Sequence, residues 1–233
     1  MGKIRIWVPA GVEAGVVRRQ LGTSEPERVM ALPMGGQGRD RLQHCVTAAA
    51  AALEPGERIV LMGLGGSLSP DYRVGDVLIY QTCIQLSTGE ERAGDRPFSS
   101  AIQSQLREKL PRRRVDLIRG LTSDRVIWSA AEKQHLGQTH QASGVDMEGW
   151  TVLTALAPRG IPIAIVRVVS DSCGGDIPNV GAAIGPGGTF QPWPLVRPLV
   201  RQPAGALRLI RGSLVGLWAL GRVAQALTGR EQP

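Results

Sequence analysis

The stretch VGDVLIYQTCIQL (residues 74–86) lacks the alternation of polar and apolar side chains that marks a half-exposed strand. It therefore reads as a strand buried on both faces, and strands of that kind belong to sheets covered by helices on either side. The runs ERIVLMGLGGSL (57–68) and IPIAIVRVV (161–169) also read as strands, the first ending in a Gly-rich turn. Shorter strands are expected at 4–8, 28–32 and 115–120, and helices at 13–21, 100–110 and 148–157. The Gly-rich turn MGGQGRDR (34–41) opens a further helix that runs through the alanines to about residue 53, and 132–140 is left unassigned. This alternation predicts the α/β class, a single domain with a mixed central β-sheet flanked by helices. At 233 residues, with 42% hydrophobic and 20% charged content, the chain is long enough for one such domain. Residues 1–175 are read as its core. Residues 176–233 are read as a Gly/Pro-rich loop and a basic helical segment, broken at Pro198 and Pro203, that complete it.

Cys45, Cys83 and Cys173 have neither C-x-x-C spacing nor polar surroundings, so no disulfide framework or zinc site is expected, and a reducing cytoplasm fits. His44, His135 and His140 show no ligand spacing, and no metal is expected. The amino-terminal MGKIRIWVPAG is interrupted by Arg5 and reads as a strand, not a signal peptide. A net charge of +7 raises the question of nucleic acid, but aromatic residues make up only 4% and the arginines are scattered, so no nucleic-acid partner is expected. One asymmetry remains. Between Asp176 and Glu231 there is no acidic residue, while Arg197, Arg201, Arg208, Arg211, Arg222 and Arg230 all lie there. Combined with GSLVGLWALG (212–221), too short to span a bilayer, this segment reads either as a terminal helix packed on the sheet or as an amphipathic element touching anionic lipid. The second alternative adds membrane association at the cytoplasmic face.

Carboxylates sit where apolar runs begin or end: Asp146 and Glu148 in VDMEG, and Asp171 at the close of IPIAIVRVVSD. Ligands of open α/β sheets collect beyond the carboxyl ends of strands, which is where Asp171 falls. Taken singly, Glu148 is a charge favoured at a helix start and Asp171 a cap. Together they describe a polar site at one edge of the sheet.

VDMEG followed by RVVSD, with GLGGSL and VGDVLI upstream, resembles the nucleoside phosphorylase and nucleosidase superfamily over residues 3–171, and within it the methylthioadenosine/adenosylhomocysteine nucleosidases. DIPN and the RPL run are more similar to the hopanoid-associated phosphorylases. The resemblance implies cleavage of the N-glycosidic bond of an adenine-type nucleoside through an oxocarbenium-like sugar. It further implies that Asp171 serves the purine N7 as an acid, in a dry pocket that raises its pKa and with Ser170 and Arg167 supporting it. Glu148 would bind the ribose hydroxyls, Met147 would pack on the sugar, and Asp146 would stand near them in place of the usual glutamate. Glu13 in PAGVEAGVV matches the acidic residue that orients water or a substrate hydroxyl, and otherwise reads as an ordinary helix-start glutamate. Val126 and Ile127 in GLTSDRVIW would line the base, without the aromatic ring the nucleosidases have there.

Gly63, Gly65 and Gly66 fit neither a P-loop nor a dinucleotide fingerprint. Backbone N–H groups at Gly65 and Gly66 would approach an anion or a water, or else form a tight strand exit. Leu64 stands where the nucleosidases hold their water with serine, and Arg39, followed by Arg41, is the best-placed cation, both also readable as solvated helix-start residues. These departures point to inorganic phosphate as co-substrate, hence to phosphorolysis, and the resemblance to the hopanoid-associated branch implies a hydrophobic 5′ group such as an adenosylated hopanoid; the alternatives are a hydrolytic methylthioadenosine/adenosylhomocysteine nucleosidase and a non-catalytic member that binds a nucleoside. No other cofactor is expected, and the resemblance implies a homo-oligomer.

Overall fold

The computed structural model describes residues 3–22, 28–179, 184–185, 189–190 and 200–228. Arg197, Pro198 and Arg230, named above, lie outside them, as does most of the Gly/Pro-rich run. In chain order the elements are β1 (Ile4–Pro9), α1 (Val12–Leu21), β2 (Val29–Leu32), α2 (Arg39–Ala51), β3 (Arg58–Ser67), β4 (Val77–Gln85), β5 (Glu91–Ala93), α3 (Arg96–Lys109) and β6 (Val115–Thr122). There follow α4 (Ala130–His140), β7 (Gly144–Asp146), α5 (Gly149–Leu156), β8 (Ile163–Asp171), the short hairpin β9 (Ile184–Gly185) and β10 (Thr189–Phe190), and α6 (Pro203–Thr228). The helix breaks before Pro203, as a residue without an N–H requires.

The sheet is mixed, as expected. Strands β2, β1, β3 and β8 run parallel, β8 then pairs antiparallel with β4, and β4, β6 and β7 are again parallel. Because β7 returns to pair with β3, the strands β3, β8, β4, β6 and β7 close into a ring. Strand β4 is buried as its uniform apolar pattern requires, with Val77, Leu78, Ile79 and Tyr80 all shielded. One face of the sheet packs on α1, α3 and α6 through Ile6, Val60, Phe98 and Leu220, and the other on α2 and α5 through Trp7, Leu42 and Val152.

Two helices owe their boundaries to capping, not to periodicity. Helix α3 starts earlier than expected because Asp95 accepts the Phe98 N–H at 2.8 Å and Pro97 occupies the first turn. The unassigned segment becomes α4, with Ser129 as N-cap and Gln141 taking the left-handed conformation at its end. The expected glycine turn after 62 is a correction: Gly63, Gly65 and Gly66 lie inside β3, paired with β8.

Helix α6 lies across the end of β8. A side chain at Gly212 would strike the Ser170 carbonyl oxygen, and one at Gly216 would come within 3.0 Å of Leu64. Alanine at Gly212 gains about 1 kcal/mol of helix propensity but forces α6 away from backbone that cannot yield, a cost of about 1–3 kcal/mol. Gly212→Ala should therefore lower the melting temperature, whereas Gly15→Ala in α1, where an added methyl meets nothing within 4 Å, should raise stability by about 0.5–1 kcal/mol. Thermal unfolding of both variants checks the pair.

Candidate active site at the carboxyl ends of the strands

The site is built around Arg167, which β8 carries into the interior with no solvent exposure. A guanidinium cannot shed its charge, so it must be matched by anions where it lies. Asp146, at the end of β7, accepts from its Nη2 at 2.7 Å and its Nε at 2.8 Å. Glu148 accepts from Nη2 at 3.2 Å and from the Gly35 N–H at 3.0 Å. Gly35 has no room for a side chain, because one would strike the Met147 carbonyl. The loop before α2 is thereby drawn onto VDMEG, and half-buried Met147 sits over Gly35 and Gly36.

Asp146 is fully occupied in this framework. Besides Arg167 it accepts from the Thr122 hydroxyl at 2.6 Å and from the Gly149 N–H at 3.0 Å, which anchors the start of α5. Its described hydrogen bonds all come from the protein, so the structure places it as the support of Arg167, behind Glu148. Arg167 likewise supports Glu148 and Asp146, not Asp171 as expected.

Glu13, in the first turn of α1 just past β1, completes the group. Its Oε1 accepts the Leu64 N–H at 3.1 Å, while its buried Oε2 and the Nη1 of Arg167 have no protein partner. Both atoms lie against Gly63, where a side chain would collide with Nη1 and sit 3.3 Å from Oε2. The residue as a whole is half-buried, but its carboxyl is out of solvent. Burial first, then the nearby Glu148 charge, outweigh Arg167 and the Leu64 hydrogen bond and raise the Glu13 pKa to about 7. Burial also raises Glu148, against the pull of Arg167.

Asp171 stands apart at the mouth. Ser170 Oγ donates to its Oδ1 at 2.8 Å, as expected of a supporting residue, and Lys133 of α4 forms an ion pair with its Oδ2. Lys133 has no solvent exposure, and sequence reasoning missed it, since nothing in the unassigned segment singled out that lysine. The expected acid thus has a buried lysine against one oxygen and a hydroxyl against the other, instead of a dry apolar pocket.

Other expected residues separate. Val126 is half-buried in the loop after β6, but Ile127 is buried with Leu68, Leu121 and Leu136, so it is core and not a wall for the base. Gly65 and Gly66 lie within β3, paired with β8, and not in a turn. They let β7 and β8 approach, since a side chain at Gly66 would lie 3.0 Å from Asp171 Oδ2 and one at Gly65 3.0 Å from the Val145 carbonyl. Arg39 sits on the rim, 3.4 Å from Asp124, with both side chains a little under half exposed. Among the described residues no group of His, Cys, Asp and Glu is arranged to hold a metal ion.

A family model described as the phosphorylase superfamily matches residues 8–183. An aminodeoxyfutalosine nucleosidase of Helicobacter pylori is 25% identical over 129 residues, 50% of this chain and 56% of that one, so the chain spans little more than half the length of this curated relative. Among solved structures, a 5′-methylthioadenosine/S-adenosylhomocysteine nucleosidase from Helicobacter pylori superposes with a TM-score of 0.69 at 14% identity, covering 98% of this chain and 97% of that chain. A futalosine hydrolase of the same organism gives 0.66 at 15% identity, covering 96% and 97%. At these identities the two structures show the shared fold.

The Glu13 environment has a consequence that needs no substrate. Its folded pKa of about 7 lies above its ordinary value of 4.5, so between those values the native state binds the extra proton and stability falls as pH rises. Below 4.5 the penalty is absent, and above about 7 it is fully developed. Glu13→Gln should match the wild type near pH 4 and exceed its unfolding free energy by about 1–3 kcal/mol near pH 8. Denaturant unfolding of the two proteins across that range measures the difference.

Proposed function

The chain belongs to the phosphorylase superfamily, and from that premise we propose that it is an enzyme cleaving the N-glycosidic bond of an adenine-type nucleoside, with water as acceptor. The observation that carries this reading is the gathering of Glu13, Asp146 and Glu148 around the single guanidinium of Arg167, with Asp171 at the adjoining strand end. Three carboxyls against one buried cation make a site that favours positive charge. Breaking a purine glycosidic bond develops such charge on the sugar. Glu148, steadied by Arg167 and the Gly35 N–H, would accept the ribose hydroxyls, with Met147 on the sugar face. Glu13, poised near neutrality, would take the proton of the attacking water as its oxygen joins C1′ and the C1′–N9 bond breaks. The departing electron pair passes into the purine, and Asp171, at the mouth with Ser170 and Lys133 behind it, would relay to N7 a proton that it takes from solvent water, leaving hydroxide to be neutralised by the proton Glu13 has taken.

A second reading, phosphorolysis with inorganic phosphate as co-substrate, is favoured by Arg39 on the rim and by Leu64 in place of a water-holding hydroxyl. Hydrolysis is preferred because Arg167 and Lys133 are already matched by carboxylates, leaving a dianion little buried positive charge. The 5′ group is read as apolar, an adenosylated hopanoid being the specific case, on the similarity of the DIPN segment to the hopanoid-associated branch. A homo-oligomer goes with the family.

Base release from an adenine nucleoside should proceed at full rate in phosphate-free buffer and yield the free sugar. A strict requirement for phosphate, with a sugar 1-phosphate as product, would establish the second reading, and no release under either condition would refute both. Asp171→Asn should slow turnover by about 10²–10⁴, but it also leaves the buried Lys133 charge unpaired. The double variant Asp171→Asn/Lys133→Met should recover the lost stability and remain slow. If recovering stability also restores turnover, Asp171 is structural.

A further inference from the structure

Large apolar side chains that remain exposed are concentrated on one surface. Apart from Val200, those among the described residues are Leu207, Ile210, Leu214, Val215 and Trp218 of α6 and Val12 of the adjoining α1. Leu207, Leu214 and Trp218 are 56%, 64% and 62% exposed. Their spacing of seven and four residues aligns them along one face of the helix for about 17 Å. Soluble surfaces carry single exposed leucines, but a continuous row with a tryptophan marks a contact site. The buried side of the same helix cannot be exchanged for this one, because Gly212 and Gly216 press on Ser170 and Ala219, Leu220 and Val223 fill the core. The row is therefore fixed outward.

Charge identifies what covers it. Residues 200–228 contain Arg201, Arg208, Arg211 and Arg222 and no aspartate or glutamate. Arg208, Arg211 and Arg222 flank the apolar row and are themselves exposed. A groove between α1 and α6 is lined by Arg19, Gln20, Trp218 and Arg222, placing two guanidinium-bearing residues beside the row. Arg113 lies 5.0 Å over the Trp218 ring and adds a further cation to that edge. In a two-fold contact with a second copy the same patch meets itself, which would set arginines on both sides of the contact with no aspartate or glutamate of α6 to match them. An anionic bilayer surface matches both features: acyl chains accept the apolar row while phosphates meet the arginines at its border. No helix among the described residues is long and apolar enough to cross a membrane.

We propose that the exposed face of α6, extended by Val12 and Arg19 of α1, is a peripheral docking surface for anionic phospholipid. The proposal is independent of the reaction assigned to the site. Each arginine near such a surface contributes on the order of fivefold in partition, and the contribution falls with salt.

Vesicle flotation of the full chain tests it, using phosphatidylcholine vesicles and mixed phosphatidylcholine/phosphatidylglycerol vesicles, with sedimentation velocity in parallel. The wild type should float with the mixed vesicles, stay soluble with phosphatidylcholine alone, and release as salt rises. Leu214→Ser/Trp218→Ser should abolish flotation, and Arg211→Glu should weaken it by about fivefold or more. All three positions are exposed, so thermal unfolding of the variants should stay close to wild type. Recovery of the wild type in the soluble fraction under all conditions overturns the proposal. So does flotation that persists in the double variant, or a self-association that the double variant breaks without any lipid binding, which would make the face an interface between copies.

Discussion

Everything near the crevice depends on one buried guanidinium. Strand β8 carries Arg167 into the core, and because that charge cannot be discarded, Asp146 and Glu148 are held to it at 2.7 and 3.2 Å. Each partner then fixes another piece of chain. Asp146 ties the start of α5 and Thr122 of β6, while Glu148 draws in the backbone of Gly35. Loops from distant parts of the sequence are therefore set in place by a single interior ion-pair group, which is also the frame of the proposed sugar site.

The same group sets the electrostatics. Two carboxylates satisfy Arg167, so Glu13 arrives as an excess carboxyl in a dry place and holds its proton to about pH 7. An environment that resists one more negative charge is also one that welcomes a positive one. That preference favours a sugar cation over a bound phosphate dianion, and it turns the reading of the site away from the phosphorolysis that Leu64 and Arg39 first suggested.

The sheet and its flanking helices were legible because apolar runs such as residues 74–86 admit few alternatives, and Asp171 was legible as the end of one. Partnership within the site was not. Strand alternation puts Arg167 and Asp171 on one face, but the register skips Ser170, pairing Gly65 with Val169 and Gly66 with Asp171, and that irregularity re-aims Asp171 towards Lys133. Lys133 itself lies 38 residues earlier in a helix without an apolar stripe, so only the folded chain brings it to Asp171. Ile127 was misplaced for a related reason: a motif locates a segment, whereas packing on Leu68 and Leu136 decides which way its side chain turns.

The central claim is that the cluster around Arg167 stabilises a positively charged sugar. Calorimetric affinities for two adenine nucleoside analogues measure this directly, one carrying a protonated ring nitrogen in place of the anomeric carbon and the other its neutral carbon counterpart. The account predicts that the cation binds at least about 100-fold more tightly, and that Glu148→Gln removes most of that preference. Equal affinity for the two analogues would contradict it.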